Sequence, residues 1–393
     1  MENSFLSFLS NLIKTPSLSG HEDKVAKILE TEMKKLEFDE VFVDEMGNVI
    51  GRITNGKGPK ICYNGHMDHV PVGELKNWKY DPFSAKIVEG VMYGRATVDM
   101  KSAIAAMVYG VKKASDKGYI KGSVYVVGVV HEELQEGVAM RYIVEDDGLS
   151  FNAVVLGEAT NLNLAIGHRG RVEAEIVVYG KTSHASMPEF GDNAIYHAIP
   201  ILQEIIESQK TLPEHKDLGK GTVAVTSIRA YPGEGPVVPD KCRIMIDRRT
   251  AKFITRDEFL DELDGIINRA KMRDKGIFAE YRILKTKVNC YTGLELEAER
   301  FFPTWLMEKT HPVVQAGMIA VKNTLGINPK VITWRFSTDG VYTNGIKKIP
   351  TIGFGPGEES LAHQPNEHIR INDVLTAIDG YANLAKELTR ISF

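Results

Sequence analysis

Apolar positions Phe5, Leu9, Leu12 and Ile13 recur at helical spacing and stop before Pro16, which predicts an amphipathic helix at the start of the chain. After the turn TPSLSG a second helical stripe follows, formed by Val25, Ile28, Leu29, Met33 and Leu36. The period then shortens. VFVDEMGNVIGRI and KICYNGH read as strands, residues 101–114 as a helix, and VYVVGVV at 124–130 and AVVLG at 153–157 as unbroken apolar runs. Unbroken rather than alternating runs predict a sheet buried on both faces, hence an α/β domain with helices on each side.

From Arg171 the pattern changes to alternation, with Val172, Ala174, Ile176 and Val178 on one face. A helical stripe through Ile195, Ile199, Leu202 and Ile206 follows, then strands TVAVTSIRAY and CRIMIDR, a helix with Phe259, Leu260, Leu263 and Ile267, and a strand through AEYRILK. That order, βαββαβ, is the ferredoxin-like unit. Beyond Tyr291 helices and strands alternate again, through VITWRF and IPTIGFGPG to a final helix over 373–389. The expected organisation is a catalytic domain in two parts, 1–169 and 292–393, with an inserted domain at 170–291. Glycine-containing joints at IGHRG and NCYTG are expected to hinge.

Composition narrows the function. The 393 residues are 43% hydrophobic and 25% charged, as in soluble globular proteins. A net charge of -4 offers no basic face for nucleic acid. Cys62, Cys242 and Cys290 are too dispersed for a disulfide framework or a zinc knuckle, which points to a reducing compartment. The first residues carry Glu2 and lack the positive start of a signal peptide, and no apolar run reaches the roughly 18 residues of a membrane span. A cytoplasmic protein without a membrane partner is expected.

Metal-capable side chains gather where the predicted parallel strands end, the edge on which α/β sheets build their sites. His66 and Asp68 follow KICYNG, Glu132 and Glu133 follow VYVVGVVH, and Glu158 follows AVVLG. Asp99 precedes the helix at 101, and His363 lies after IPTIGF. Taken singly, these are a surface histidine, a solvated acidic pair, a helix cap and turn residues. Together, two imidazoles and several carboxylates without cysteine suit zinc, cobalt or manganese. A shared carboxylate would make the centre dinuclear. HEELQ at 131–135 is not a zincin helix, because Gln135 stands where HExxH needs its second histidine.

HMDHVP, GRATVDMKSA, HEELQEG, LGEAT and AHQPNEH, in that order, resemble the co-catalytic metallopeptidases and deacylases. That family includes acetylornithine deacetylase, succinyl-diaminopimelate desuccinylase, glutamate carboxypeptidase and the aminoacylases. GEATNLNLAIGHRGR, WRFSTDGVYTNG and IPTIGFGPGEE look most like a branch whose members are labelled as linked to selenium metabolism. The resemblance implies a zinc-peptidase-like mixed sheet with an inserted lid and dimerisation domain. It implies two divalent metal ions, zinc first: His66 and Glu158 on one, Glu133 and His363 on the other, and Asp99 bridging. Asp68 would accept a hydrogen bond from His66, and Glu132 would be the general base. His184, in GKTSHASMP, would reach the site of a partner subunit in a homodimer, and Arg249 would hold a substrate carboxylate, with Arg248 on the opposite face of the strand. His69 departs from the family pattern and is expected to neighbour the site rather than bind metal. The implied activity is hydrolysis of an N-acyl amino acid, with dipeptidase or carboxypeptidase action as the alternative. A non-catalytic relative would lack a ligand or the base, and here all are filled.

Overall fold

The computed structural model describes residues 2–393. The chain divides into two compact units. One comprises the residues up to His168 with Lys287–Leu296 and Leu306–Phe393, and the other comprises Arg169–Thr286 with Glu297–Trp305.

The larger unit is built on a mixed sheet. Its spatial order is Glu40–Val43, Val49–Asn55, Gly122–Val129, Lys60–His66, Ala153–Leu156, Thr351–Gly353 and Leu164–His168, with Val331–Trp334 beside the last. Lys60–His66 runs parallel to both neighbours, and Thr351–Gly353 runs parallel to Ala153–Leu156. Four adjacent strands therefore end on one edge. The central strand Gly122–Val129 is buried at every position except Ser123, as its unbroken apolar run requires.

The first helix, α1 (Glu2–Lys14), buries Phe5, Phe8, Leu9, Leu12 and Ile13. Each such side chain contributes roughly 1.5–3 kcal/mol of burial. Helix α2 (Asp23–Lys35) turns Val25, Ala26, Leu29 and Met33 inward. Helix α3 (Lys101–Asp116) lies directly on the sheet. Met100 and Ile104 occupy the space a side chain at Gly65 would need, and Met100 and Met107 do so at Gly157. These glycines immediately precede His66 and Glu158, so the start of α3, next to Asp99, is pressed against two strand ends. Helix α4 (Val138–Glu145) follows the loop after Val129, α7 (Pro312–Leu325) begins on a proline, and α8 (Ile371–Leu388) closes the unit. Among the described residues no helix is long and apolar enough to cross a membrane.

One expected strand is two. VFVDEMGNVIGRI folds back as the antiparallel pair Glu40–Val43 and Val49–Asn55. Asp44 makes the turn by accepting from the backbone N–H of Gly47 and Asn48, both at 2.8 Å, and from Asn48 Nδ2 at 2.7 Å.

The smaller unit has the order βαββαβ: Gly170–Tyr179, α5 (Ala194–Ser208), Thr222–Tyr231, Lys241–Thr250, α6 (Arg256–Arg273) and Phe278–Ile283. Its sheet is antiparallel, with Lys241–Thr250 and Gly170–Tyr179 in the middle. Val172, Ala174, Ile176 and Val178 pack against Ala198, Ile201 and Ile205 of α5 and Phe259, Leu263 and Ile267 of α6. Thr255 and Glu258 form a reciprocal capping box at the start of α6.

Candidate metal centre

Three neighbouring parallel strands deliver the core of the site. His66 ends its own strand, Glu132 and Glu133 follow Gly122–Val129, and Glu158 follows Ala153–Leu156. Asp99 comes from the loop before α3, and His363 from the loop after Thr351–Gly353. Asp99 stands between the two imidazoles. Its Oδ1 is 2.8 Å from His66 Nε2 and its Oδ2 is 3.0 Å from His363 Nε2. His363 Nε2 is also 3.1 Å from Glu133 Oε2, and His66 Nε2 is 3.8 Å from Glu158 Oε1. Ligand atoms of His66, Asp99 and Glu133 converge within 4.8 Å of one another, as do those of His66, Glu132 and Glu158.

Electrostatics mark the cluster as built for cations. Burial, reinforced by Asp99, raises the Glu158 and Glu133 carboxyls. Burial also lifts Glu132 well above the carboxylate range, with Glu158 and Asp339 adding to the effect. Hydrogen bonds to Asp99 and Glu133 push His363 up to about 10. His66 is raised despite its burial, by Asp68 and Asp99. Asp99 is held low against its own burial by His363 and His66. Glu132 Oε1 and Glu133 Oε1 are buried without a hydrogen-bond partner. Buried carboxylate oxygens without partners, on residues whose ligand atoms converge with those of an imidazole, fit a pair of divalent cations.

His66 meets the backbone of Asp68 more closely than its carboxylate. His66 Nδ1 lies 3.0 Å from the Asp68 backbone carbonyl and 3.5 Å from its carboxylate. The carboxylate instead accepts from the backbone N–H of Glu132 at 3.3 Å, that of Glu133 at 3.2 Å, and Ser19 Oγ at 2.6 Å. It thereby fixes the loop that carries both glutamates. His69 has both ring nitrogens engaged, Nε2 accepting from Ser17 N at 2.9 Å and Nδ1 donating to Val70 O at 2.8 Å. Burial, with Lys101 nearby, lowers it to about 4, so it is a neutral structural neighbour of the site.

A buried ion pair, Arg95–Glu367 at 2.6 Å, went unnoticed in the sequence. Glu367 Oε1 accepts from Val98 N at 2.7 Å and Asp99 N at 3.2 Å, so it braces the loop of Asp99. The clue was available in AHQPNEH, where Glu367 stands four residues after His363.

His184 and Arg249 belong to the smaller unit. His184 Nδ1 accepts from Ser186 N at 3.1 Å, which leaves Nε2 carrying the proton as an exposed donor. Arg248 is buried against Glu262 at 2.9 Å, whereas Arg249 lies on the other face in a two-pronged contact with Asp247, at 2.7 and 3.1 Å.

The family model for peptidase family M20/M25/M40 matches residues 62–387. The chain belongs to this family. It is 37% identical over 377 residues to the uncharacterized protein YgeY of Escherichia coli K12, covering 95% of this chain and 92% of that one. It is 32% identical to succinyl-diaminopimelate desuccinylase of Wolbachia pipientis wMel, over 93% of this chain and 89% of the relative. Among solved structures, the fold matches the Bacillus subtilis protein YXEP, a dinuclear metal-binding peptidase of the M20 family. That match has a TM-score of 0.72 and 17% identity over 99% of this chain and 98% of the other. The chain is an M20-family metallohydrolase.

Proposed function

We propose that this M20-family chain hydrolyses the amide bond of an N-acyl amino acid, with His66, Asp99, Glu133, Glu158 and His363 holding two divalent metal ions, zinc by first expectation. The observation that carries the reading is Glu132, which has a buried oxygen, Oε1, without a partner and brings a carboxylate oxygen within 4.8 Å of ligand atoms of His66 and Glu158. The similarity to a desuccinylase supports an N-acyl substrate.

When bound, the ions would supply Lewis-acid polarisation of the scissile carbonyl and a more acidic attacking water. Glu132 takes the proton of that water and delivers it to the departing amine. Asp68 holds the Glu132–Glu133 backbone in register through two N–H bonds. His184, with its proton on Nε2, donates to the oxyanion, a contribution of about 3 kcal/mol for donors of this kind. Arg249 binds the substrate carboxylate, exchanging Asp247 for it. In this proposal His184 acts across a homodimer formed through the smaller unit. The cytoplasm is the proposed compartment, supported by three free thiols.

The decisive experiment measures amine release from a panel of N-acyl amino acids and dipeptides by zinc-reconstituted and metal-free protein. Zinc-dependent release from one acyl class supports the reading. Release only from dipeptides replaces the deacylase assignment with a dipeptidase, and activity in the stripped protein overturns the metal mechanism. Homodimer action predicts that mixed Glu132→Ala and His184→Ala chains regain activity that neither shows alone.

A further inference from the structure

The segment STDG at 337–340 has no role in the function proposed above, yet Asp339 within it is 1% exposed. Its Oδ2 accepts from Asn64 Nδ2 and its Oδ1 from the backbone N–H of Gly137, each at 2.7 Å. Both donors are neutral. Each belongs to a segment that carries a site residue. Asn64 lies two residues before His66 on the same strand, and its carbonyl accepts at 2.9 Å from the N–H of Gly157, the neighbour of Glu158. Gly137 ends the loop that bears Glu132 and Glu133 and opens α4. At Gly137 φ is 81°, and Val341 and Tyr342 occupy the space of a side chain, so the turn after Asp339 lies hard against this loop. The turn is itself pinned. Tyr342 N and Thr343 N donate to the Asp339 carbonyl at 3.1 and 3.2 Å, and Thr338 N donates to His168 Nε2 at 3.1 Å.

We infer that Asp339 is a positioning residue of the metal centre, which brackets the strand end of His66 and the loop of Glu132 and Glu133 and whose negative charge strengthens cation binding. The inference rests on the metal-centre reading. A merely structural bracket needs two acceptor oxygens and no charge. A buried carboxylate met only by neutral donors, beside further carboxylates, is unfavourable for the metal-free fold and becomes favourable once cations enter. Charge and bracket can therefore be separated. Asp339→Asn keeps an acceptor for Gly137 N and removes the charge. The exchange Asn64→Asp/Asp339→Asn returns the charge to the other end of the same hydrogen bond.

Zinc affinity and the melting temperature of the metal-free protein are measured for the wild-type chain and both variants. Asp339→Asn is expected to bind zinc about 10–100-fold more weakly, the usual effect of losing a group behind the ligands, at an unchanged or higher metal-free melting temperature. The exchange is expected to recover most of the affinity. Wild-type affinity in a folded Asp339→Asn overturns the inference, as does a lower metal-free melting temperature in that folded variant or an exchange that recovers nothing. Should Asp339→Asn not fold, the exchange decides alone: near-wild-type zinc affinity supports the charge, and weak binding overturns it. A wild-type chain that takes up no zinc removes the metal-centre reading itself, a result distinct from the others.

Discussion

Glu132→Gln tests the proposed chemistry most directly, because it preserves volume while removing the proton acceptor. The side chain is 6% exposed, and its Oε1 meets no hydrogen-bond donor. Its backbone N–H is held by Asp68 independently of what the side chain carries. An amide at this position therefore leaves the loop in register. Burial already favours the protonated, neutral form of Glu132 in the metal-free protein, so an amide there should leave its melting temperature close to wild type. Losing a general base slows a reaction about 10²–10⁴-fold, or roughly 3–5 kcal/mol of barrier at 1.36 kcal/mol per decade. Three measurements check this: initial rates on whichever substrate the panel identifies, zinc per chain by elemental analysis, and metal-free melting by calorimetry. A rate within about tenfold of wild type would refute the base assignment. Loss of zinc together with activity would refute it differently, by making Glu132 a ligand alongside His66 and Glu158.

Three further outcomes are expected. With His363 pushed up to about 10, its imidazole holds a proton at neutral pH that a cation must displace, and His66 is shifted in the same direction. Zinc titrations in buffers of differing ionisation enthalpy should show proton release and an affinity that falls as pH is lowered; uptake without proton release contradicts the ligand set. In the smaller unit His197 is clasped between Asp274 and Asp192, which raise its pKa against the lowering effect of burial, while its hydrogen bond lowers Asp274. The clasp should be complete from above the unfolded aspartate value of about 3.9 to below the unfolded histidine value of about 6.5, and fade as pH rises through the raised His197 pKa. Slowed hydrogen exchange in α5, relative to His197→Leu, should therefore diminish in alkali, and protection that grows with pH contradicts it. Arg249→Met should raise KM for carboxylate-bearing substrates about 10–150-fold, the equivalent of roughly 1.5–3 kcal/mol for a charged hydrogen bond, and an unchanged KM removes the arginine from substrate binding.

The sequence was most readable where one element carries the whole signal. Gly122–Val129 is an unbroken apolar run because both faces are covered, and the acidic pair after it had to emerge at a sheet edge. The βαββαβ order was readable for the same reason, since alternation in Gly170–Tyr179 and the stripes of α5 and α6 are local patterns. The turn at Asp44 was missed because apolar residues flank it closely on both sides, although Asp44 and Gly47 supply turn chemistry. Pairings across long separations left no local trace. Arg95 and Glu367 lie 272 positions apart, and Asn64 and Asp339 lie 275 apart. No periodicity links such residues, and only the packed sheet brings them together. His363 sits in a loop without periodicity, so only its place after the strand IPTIGF marked it as a candidate, and the resemblance alone gave it a ligand's role.

The larger unit gathers Asp68, Asp99, Glu132, Glu133, Glu158 and Asp339 around two imidazoles, and its own buried cations do not serve them. Arg95 is committed to Glu367, and the Lys101 amine donates to the carbonyls of Leu12 and Thr15 at 3.1 and 2.7 Å. Packing alone would not favour such a cluster, because buried carboxylates without a cation lose more in hydration than neutral hydrogen bonds return. In the metal-free chain the charge is relieved by protons: the imidazoles are pushed up, and Glu132, Glu133 and Glu158 hold their protons more tightly. Cations and protons thus compete for the same oxygens and nitrogens. The carboxylate cluster that is unfavourable in the metal-free fold would favour cations, whose arrival would release the protons that burial holds there.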